Sequence, residues 1–409
     1  MKKVGTEQLN NAKDSFSTNA QLLMQTAKEE GIPVLEIDAK YDLFQLGYGK
    51  YSILFKGLIT ERSSAVFAQL NQLTIRDGLL AKLGIKTVSQ NKKGKNKYRV
   101  LVVEHKVRAV IEEGQRKEDR LVQLNPATKE RFEEITRIYN LKLIEFSLLS
   151  SDITSDLHKT GWINSLDLNP TLSDYQEALN LNSLSRQLIN YYAPARIPII
   201  TVLASTDQIV MRLIRGLLAK VGLKTGIVVD SARKNNKLKQ LLQNKGVEVI
   251  LHSLKANKLQ QNELLYQENE LLIVATSTVD LTEIELESKQ RVLNIDKKND
   301  LSQKKGKSIY CSLNKDNLAL QRHIKAQQPA VFTTKDNLVL FDGVDRLPII
   351  ALDRLNASWV DNSEFNTAIL FTTAVAFVFE IPIFMLRSFL IELTSSVLLM
   401  NTKEDITIN

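Results

Sequence analysis

The stretch Leu203-Ala204-Ser205-Thr206-Asp207-Gln208-Ile209-Val210 occupies the position in this chain where phosphate chemistry is expected. It follows an apolar segment that reads as a strand, Ile199 to Ala204, and leads into a helical pattern, Gln208 to Val221, which is the frame of a phosphate-binding loop. Such a loop needs glycines to turn backbone N–H groups onto phosphate and a lysine to neutralise it. Here there is neither glycine nor lysine, and Asp207 sets negative charge against negative charge. The frame is present without the chemistry. Other reactive side chains are isolated. The four histidines, His105, His158, His252 and His323, have no ligand spacing, and the single Cys311 excludes both an internal disulfide and a Cys/His zinc cage. His158, His323 and Cys311 read as structural. Asp280, Glu283, Glu285 and Glu287 read as a solvated acidic face, because nothing converges on them. Gly47-Tyr48-Gly49 reads as a bend rather than a ligand loop, glycine being the usual residue where φ is positive.

The elements that would position these residues fall into two patterns. In the first, helices are expected over Thr18 to Glu30, Ser64 to Leu83, Pro126 to Asn140 and Leu172 to Tyr192. Strands are expected at Pro33 to Ile37, Leu43 to Leu46, Tyr51 to Leu58, Tyr98 to Val103, Val107 to Ile111, Leu141 to Leu149 and Gly161 to Leu168. Beyond Pro194 and Pro198 the pattern becomes parallel α/β, with strands and helices alternating from Ile199 to Ala275, further strands at Ser308 to Ser312, Ala330 to Thr334 and Leu338 to Phe341, and a helix from Phe365. A boundary near Ala193 follows, giving domains 1–192 and 193–409.

Composition bounds the function. The 409 residues are 44% hydrophobic and 24% charged, which excludes disordered, collagenous and disulfide-stapled classes. The apolar run Ala368 to Phe379 is cut by Glu380 and Pro382, short of the roughly 18 to 20 residues a membrane span needs. No apolar core follows the N-terminal lysines, so no signal peptide is expected and a cytoplasmic setting is. The net charge of +8 is concentrated in Asn91 to Arg99 and Lys297 to Lys307, which read as solvated loops. With aromatics at 6%, no nucleic-acid partner is expected.

Several segments carry a resemblance. Arg196-Ile197-Pro198-Ile199-Ile200-Thr201-Val202 resembles the approach to the phosphate loop of cyanophycin synthetases, ATP-dependent amide ligases that join an ATP-grasp domain to a Mur-ligase-like domain. Leu43-Phe44-Gln45-Leu46-Gly47-Tyr48-Gly49-Lys50-Tyr51 is similar to their "LVQLGYGKY", with Thr60-Glu61-Arg62-Ser63-Ser64-Ala65 following at the right distance. Arg291 to Asp296 is similar to "AVLNADD", Tyr310 to Asn317 to "YFSLNPDNP", and Phe365 to Leu370 to "HNVENALAA". The order matches from about Thr18 to Leu393.

What this implies is a truncated ATP-grasp-like α+β domain followed by a Mur-ligase-like, P-loop-type α/β domain, from which the chemistry has gone. By the resemblance, the nucleotide loop TGTNGKTT falls on Leu203 to Val210, so that its glycines become Ala204 and Asp207, its lysine Gln208 and its Mg-binding threonine Ile209, with Ser205 and Thr206 between. The metal-binding acids of the ATP-grasp half become Ser147 and Ser165, and the ligand asparagine becomes Asp167. The short connection Ile85 to Lys97 leaves no room for the phosphate lid, Val274 to Thr278 replaces a glutamate-bearing strand end, and the family's C-terminal Mur domain has no counterpart. Mg needs several hard oxygen ligands, and serine supplies no charge to offset the ion. No catalytic residue, bound metal or cofactor is therefore expected, although the family uses ATP and Mg. The expected role is a noncatalytic subunit or regulator associating with itself or with an active ligase, or a peptide or polymer binder. The alternatives are a weakly active ATP-dependent carboxylate-amine ligase and a decaying gene product. If the chain has an interface it is expected around Phe365 to Leu393, where Phe371, Phe377, Phe379, Phe384 and Phe389 exceed one helical stripe; the alternative is that these rings pack into the second domain's own core.

Overall fold

The computed structural model describes residues 15–63, 95–115, 121–203, 208–229, 234–254, 265–266, 268–275, 287–296, 307–355 and 362–395. The expected helix at Ser64 to Leu83 and most of the Ile85 to Lys97 connection lie outside these residues. The chain divides into two compact units, 1–196 and 197–409. The residues just past Ala193 belong to the first unit through backbone bonds: Tyr48 N–H donates to Ala195 O at 2.9 Å and Ala195 N–H to Tyr51 O at 3.2 Å.

In the first unit, α1 (Thr18–Glu29) starts at Ser17, whose Oγ accepts from Ala20 N–H. Then β1 (Val34–Asp38), β2 (Leu43–Leu46), β3 (Ile53–Lys56) and β4 (Ile59–Thr60) form an antiparallel four-stranded sheet in that order. Phe44 stacks on Phe55 at 5.2 Å in its core. Gly47 turns the chain at φ +77°, and a Cβ there would stand 2.5 Å from Ala195 O, so the glycine permits a close backbone approach. A second antiparallel sheet runs in the order β6-β5-β7-β8, from β5 (Asn96–Val103), β6 (Lys106–Glu112), β7 (Leu143–Ser150) and β8 (Gly161–Asp167). One face is covered by α2 (Pro126–Ile138), which Asn125 caps and Pro126 begins, with Phe132 stacked on Phe146 at 4.5 Å. A single turn, α3 (Leu157–Thr160), precedes β8.

The span Leu172 to Tyr192 is not one helix. A 3-10 turn covers Leu172–Tyr175, and α4 (Leu181–Tyr192) starts afresh because the Asn180 side chain accepts from Ser183 N–H and caps it.

The second unit is a nine-stranded sheet in the order β10-β11-β9-β12-β13-β14-β15-β16-β17. Its strands are β9 (Ile199–Leu203), β10 (Thr225–Val228), β11 (Val249–Leu254), β12 (Glu268–Val274), β13 (Glu287–Asn294), β14 (Lys307–Ser312), β15 (Ala330–Thr333), β16 (Asn337–Phe341) and β17 (Arg346–Ala351). Pairing is parallel from β10 to β15 and antiparallel beyond. The helices are α5 (Gln208–Lys220), α6 (Lys234–Gln243), α7 (Leu318–Lys325), α8 (Ser363–Val378) and α9 (Ile383–Ser395). The main core joins α5, α8 and α9 to Ile200, Val202, Leu271, Ile273 and Cys311 on one sheet face. Gly216 lets α5 approach α9: a Cβ there would lie 2.9 Å from the Phe389 ring.

The helix expected from Phe365 to Leu393 is two, separated where Glu380 takes φ +52° ahead of Pro382. Phe371 and Phe389 are buried, Phe377 and Phe379 pack partly against the core, and Phe384 alone of the five is strongly exposed, at 70%. Among the described residues, no helix is long and apolar enough to cross a membrane.

Candidate functional site

In the second unit, β9 lies between β11 and β12, so the strand order reverses about it and its carboxyl end is the switch point of the sheet. Crevices that bind ligands open at such points, because connections leave to opposite sides. Ala204, Ser205, Thr206 and Asp207, the residues of that loop, lie outside the described residues, as does the side chain of Gln208. Ile209 is described: in the first turn of α5 it packs, half-buried, against the core beside Val210 and Met211. A hydrocarbon therefore stands where the resemblance implies a Mg-binding hydroxyl. The two resembling segments Arg291 to Asp296 and Tyr310 to Asn317 are neighbours. Asp296 ties them together, accepting from Leu313 N–H at 2.6 Å and from the Ser312 hydroxyl at 2.5 Å.

The first unit gathers more chemistry. In the β5–β7 pairing Arg99 lies opposite Ser147, and in the β7–β8 pairing Ser147 lies opposite Ser165 and Glu145 opposite Asp167. Strand side chains alternate between faces, so all five share one face. Ser147, Ser165 and Asp167 are thus brought together. Ser147 is buried and its Oγ has no hydrogen-bond partner, Ser165 is half-buried, and Asp167 is exposed and accepts from Asn169 N–H at 2.8 Å.

The cation of this face is a side chain. Arg99, 18% exposed, places Nη2 2.7 Å from Asp174 Oδ2, Nε 3.4 Å from Glu113 Oε1 and Nη1 3.6 Å from Glu145 Oε2. Its guanidinium carbon lies 5.7 Å from the centre of the Tyr175 ring. Tyr175 is fully buried and donates from Oη to Glu145 Oε2 at 2.6 Å. Asp174 and Tyr175 come from the 3-10 turn, which α1 fixes: Asn19 donates to Pro170 O at 2.8 Å and accepts from Leu172 N–H at 3.1 Å.

Burial pushes the Glu145 carboxyl above its ordinary range, against the Tyr175 hydrogen bond and the Arg99 charge, which pull it down. Burial works to lower the Arg99 pKa, but the Asp174 hydrogen bond and the Glu145 charge prevail and it is raised. Burial and the neighbouring carboxylate drive the Tyr175 phenol far upward. The result is a permanently charged guanidinium inside a ring of acids, with Nη2 hydrogen-bonded to Asp174 and Nε buried without a hydrogen bond. Among the described residues, no group of three His, Cys, Asp or Glu side chains is arranged to hold a metal ion.

Arg99, Glu145 and Tyr175 are not singled out in the sequence. The available signal is a lone acid inside an apolar strand, Leu143-Ile144-Glu145-Phe146, where burial demands a partner. The other candidates are structural. The His323 ring stacks on Tyr310 at 3.7 Å with Nε2 3.1 Å from both Ser308 O and Pro329 O, and burial lowers its pKa. Cys311 is fully buried, which pushes its thiol up. Of the acidic run, Glu287 begins β13 at the surface, and Asp280, Glu283 and Glu285 lie outside the described residues.

No family model matches the sequence, and no curated protein matches it. Among solved structures the chain is similar to a bifunctional glutathione synthetase from Pasteurella multocida, at 13% identity and TM-score 0.35 over 44% of each chain. It is similar to the macrocyclase MdnB from Microcystis aeruginosa, at 10% identity and TM-score 0.29 over 43% of this chain and 97% of that one. It is also similar to a UDP-N-acetylmuramoyl-L-alanyl-D-glutamate--2,6-diaminopimelate ligase, at 13% identity and TM-score 0.33 over 51% of this chain and 49% of that one. The chain spans less than half the length of the first and third.

Proposed function

We propose that this protein is a noncatalytic relative of cyanophycin synthetase-like ligases, with an ATP-grasp-like first unit and a Mur-ligase-like second unit, and that it works through association or peptide binding. The observation that carries the reading is Arg99. Its guanidinium sits among Glu113, Glu145 and Asp174, on the sheet face where the resemblance implies Mg ligands. A divalent cation entering there would meet a fixed positive charge. The carboxylates that could ligate a divalent ion there, Glu113, Glu145 and Asp174, are already engaged by that guanidinium, so the ion would have to displace it. Without that ion, nothing bridges the phosphates of a nucleotide to Ser147 and Ser165.

Thermal unfolding with increasing Mg-ATP tests the reading, since a ligand of the native state raises its stability with occupancy. The expected result is no rise at millimolar Mg-ATP. A saturable rise would support the competing reading, a weakly active ATP-dependent amide ligase.

A further inference from the structure

The strand β17 ends the nine-stranded sheet beyond β16. From Leu347 to Ala351 it is uncharged and apolar, and β16 beside it is apolar from Leu338 to Phe341. An edge of this kind is a template for a further strand, because its outward N–H and C=O groups have no ladder partner. Three features meet at one place along it. Pro348 has no N–H to offer. The register with β16 shifts there: Val339 pairs with Pro348 and Leu338 with Ile350, which leaves Ile349 as an extra residue. Successive carbonyls of a regular strand point to opposite edges, whereas a bulge can bring two of them to the same side. Arg387 of α9 takes both. Its Nε donates to Ile349 O at 2.7 Å and its Nη2 to Pro348 O at 2.6 Å. Arg387 is exposed, while Leu386 and Leu390 of the same helix are buried in the core and hold α9 in place without it. The guanidinium is thus spent on the strand edge and not on the packing of the helix. Hydrogen bonds from a charged donor are stronger than those an incoming amide N–H could offer, and the planar fork makes two at once.

We propose that Arg387 is a cap that closes the β17 edge to strand addition, and that the partner it holds off is a second copy of this chain. Two copies of one edge strand can pair antiparallel about a two-fold axis, each offering the other the same groups, so no other protein is needed to complete the ladder. With Pro348 withholding a donor and Arg387 occupying two acceptors, such a pairing loses its hydrogen bonds at the bulge. The cap does not rest on the reading of Arg99, which belongs to the first unit. It directs any association of the chain to surfaces other than this edge.

The test compares the full chain with Arg387→Ala by analytical ultracentrifugation over a range of protein concentrations. Hydrogen exchange of the peptide spanning Arg346 to Ala351 is read by mass spectrometry on the same samples. The weight-average mass of Arg387→Ala is expected to rise with concentration toward twice that of the parent, and its β17 peptide is expected to exchange more slowly at high concentration than at low. The parent is expected to show no such concentration dependence in that peptide. Phe384→Ala in the Arg387→Ala background is expected to leave the association intact, since that exposed ring is not part of the strand edge. Should Arg387→Ala fail to fold by circular dichroism, Arg387→Gln, which is too short to span both carbonyls, makes the same comparison. A folded variant that sediments as the parent does at every concentration overturns the proposal. So does association without protection of the β17 peptide, or association abolished by Phe384→Ala, because the contact would then be the apolar surface of α9.

Discussion

Replacing Arg99 by methionine keeps much of the side-chain volume and removes the charge that Glu145 faces. Glu145 is 6% exposed, and among the described residues Arg99 is the one cation within ion-pair distance of it. Removing one member of a buried pair costs about 3–5 kcal/mol, and the partial exposure of Arg99 brings the expected loss to or below the foot of that range, about 2–3 kcal/mol at neutral pH. The loss depends on pH with a definite sign. The Glu145 carboxyl is already raised in the folded state, so the native protein holds this proton more tightly than the unfolded chain, and stability falls as pH rises from the unfolded to the folded pKa. Arg99→Met removes a charge that pulls this pKa down and widens the window upward. Its destabilisation is therefore expected to be larger at about pH 8 than at about pH 5. Glu145→Gln removes the buried charge while leaving an acceptor for Tyr175, so the double variant is expected to recover about 1–2 kcal/mol of the loss. Urea unfolding in a Trp359→Phe background reads this in the first unit, because the fluorescence then comes from Trp162 alone. Equal loss at both pH values, or no recovery in the double variant, would refute the account of this cluster.

Other outcomes follow from packing. Gly47→Ala is expected to lose about 2–4 kcal/mol by urea unfolding, since its Cβ would meet the Ala195 and Tyr51 carbonyls at a positive φ. Phe371→Ala is expected to cost about 3–5 kcal/mol, whereas Phe384→Ala, at a 70% exposed position, stays within about 0.5 kcal/mol. Light scattering of Phe384→Ala against the parent chain shows whether that ring holds copies together. The Cys311 thiol is expected to resist an aromatic disulfide reagent in the native protein and to react on unfolding, because it is fully buried with its pKa raised.

Much of the fold is legible where local signals agree. Ser17 before an apolar helical period marks α1, and Asn125-Pro126 marks α2. It is illegible where local signals conflict. Leu172, Tyr175 and Leu179 before Asn180, and Leu181, Leu184 and Leu188 after it, each keep helical spacing, so a cap between the two runs hides two elements in one. The apolar content of Phe365 to Leu393 hides the break that Glu380 and Pro382 make. Pro348 conceals β17, which tolerates it as the edge strand of the sheet. Of the candidate site, Ser147, Ser165 and Asp167 are reached only through resemblance. That Arg99 fills the space among their neighbours depends on the register of β5, β7 and β8, which pairing sets and spacing along the chain does not.

The central claim is that the chain carries the frame of a ligase without its phosphate chemistry. Its most direct measurement is isotope exchange, following labelled phosphate into ATP in the presence of Mg, ADP and the full chain, with acidic and basic peptides added in turn. The account predicts no exchange above the protein-free rate under any of these conditions. Exchange that scales with protein concentration and requires Mg would contradict it.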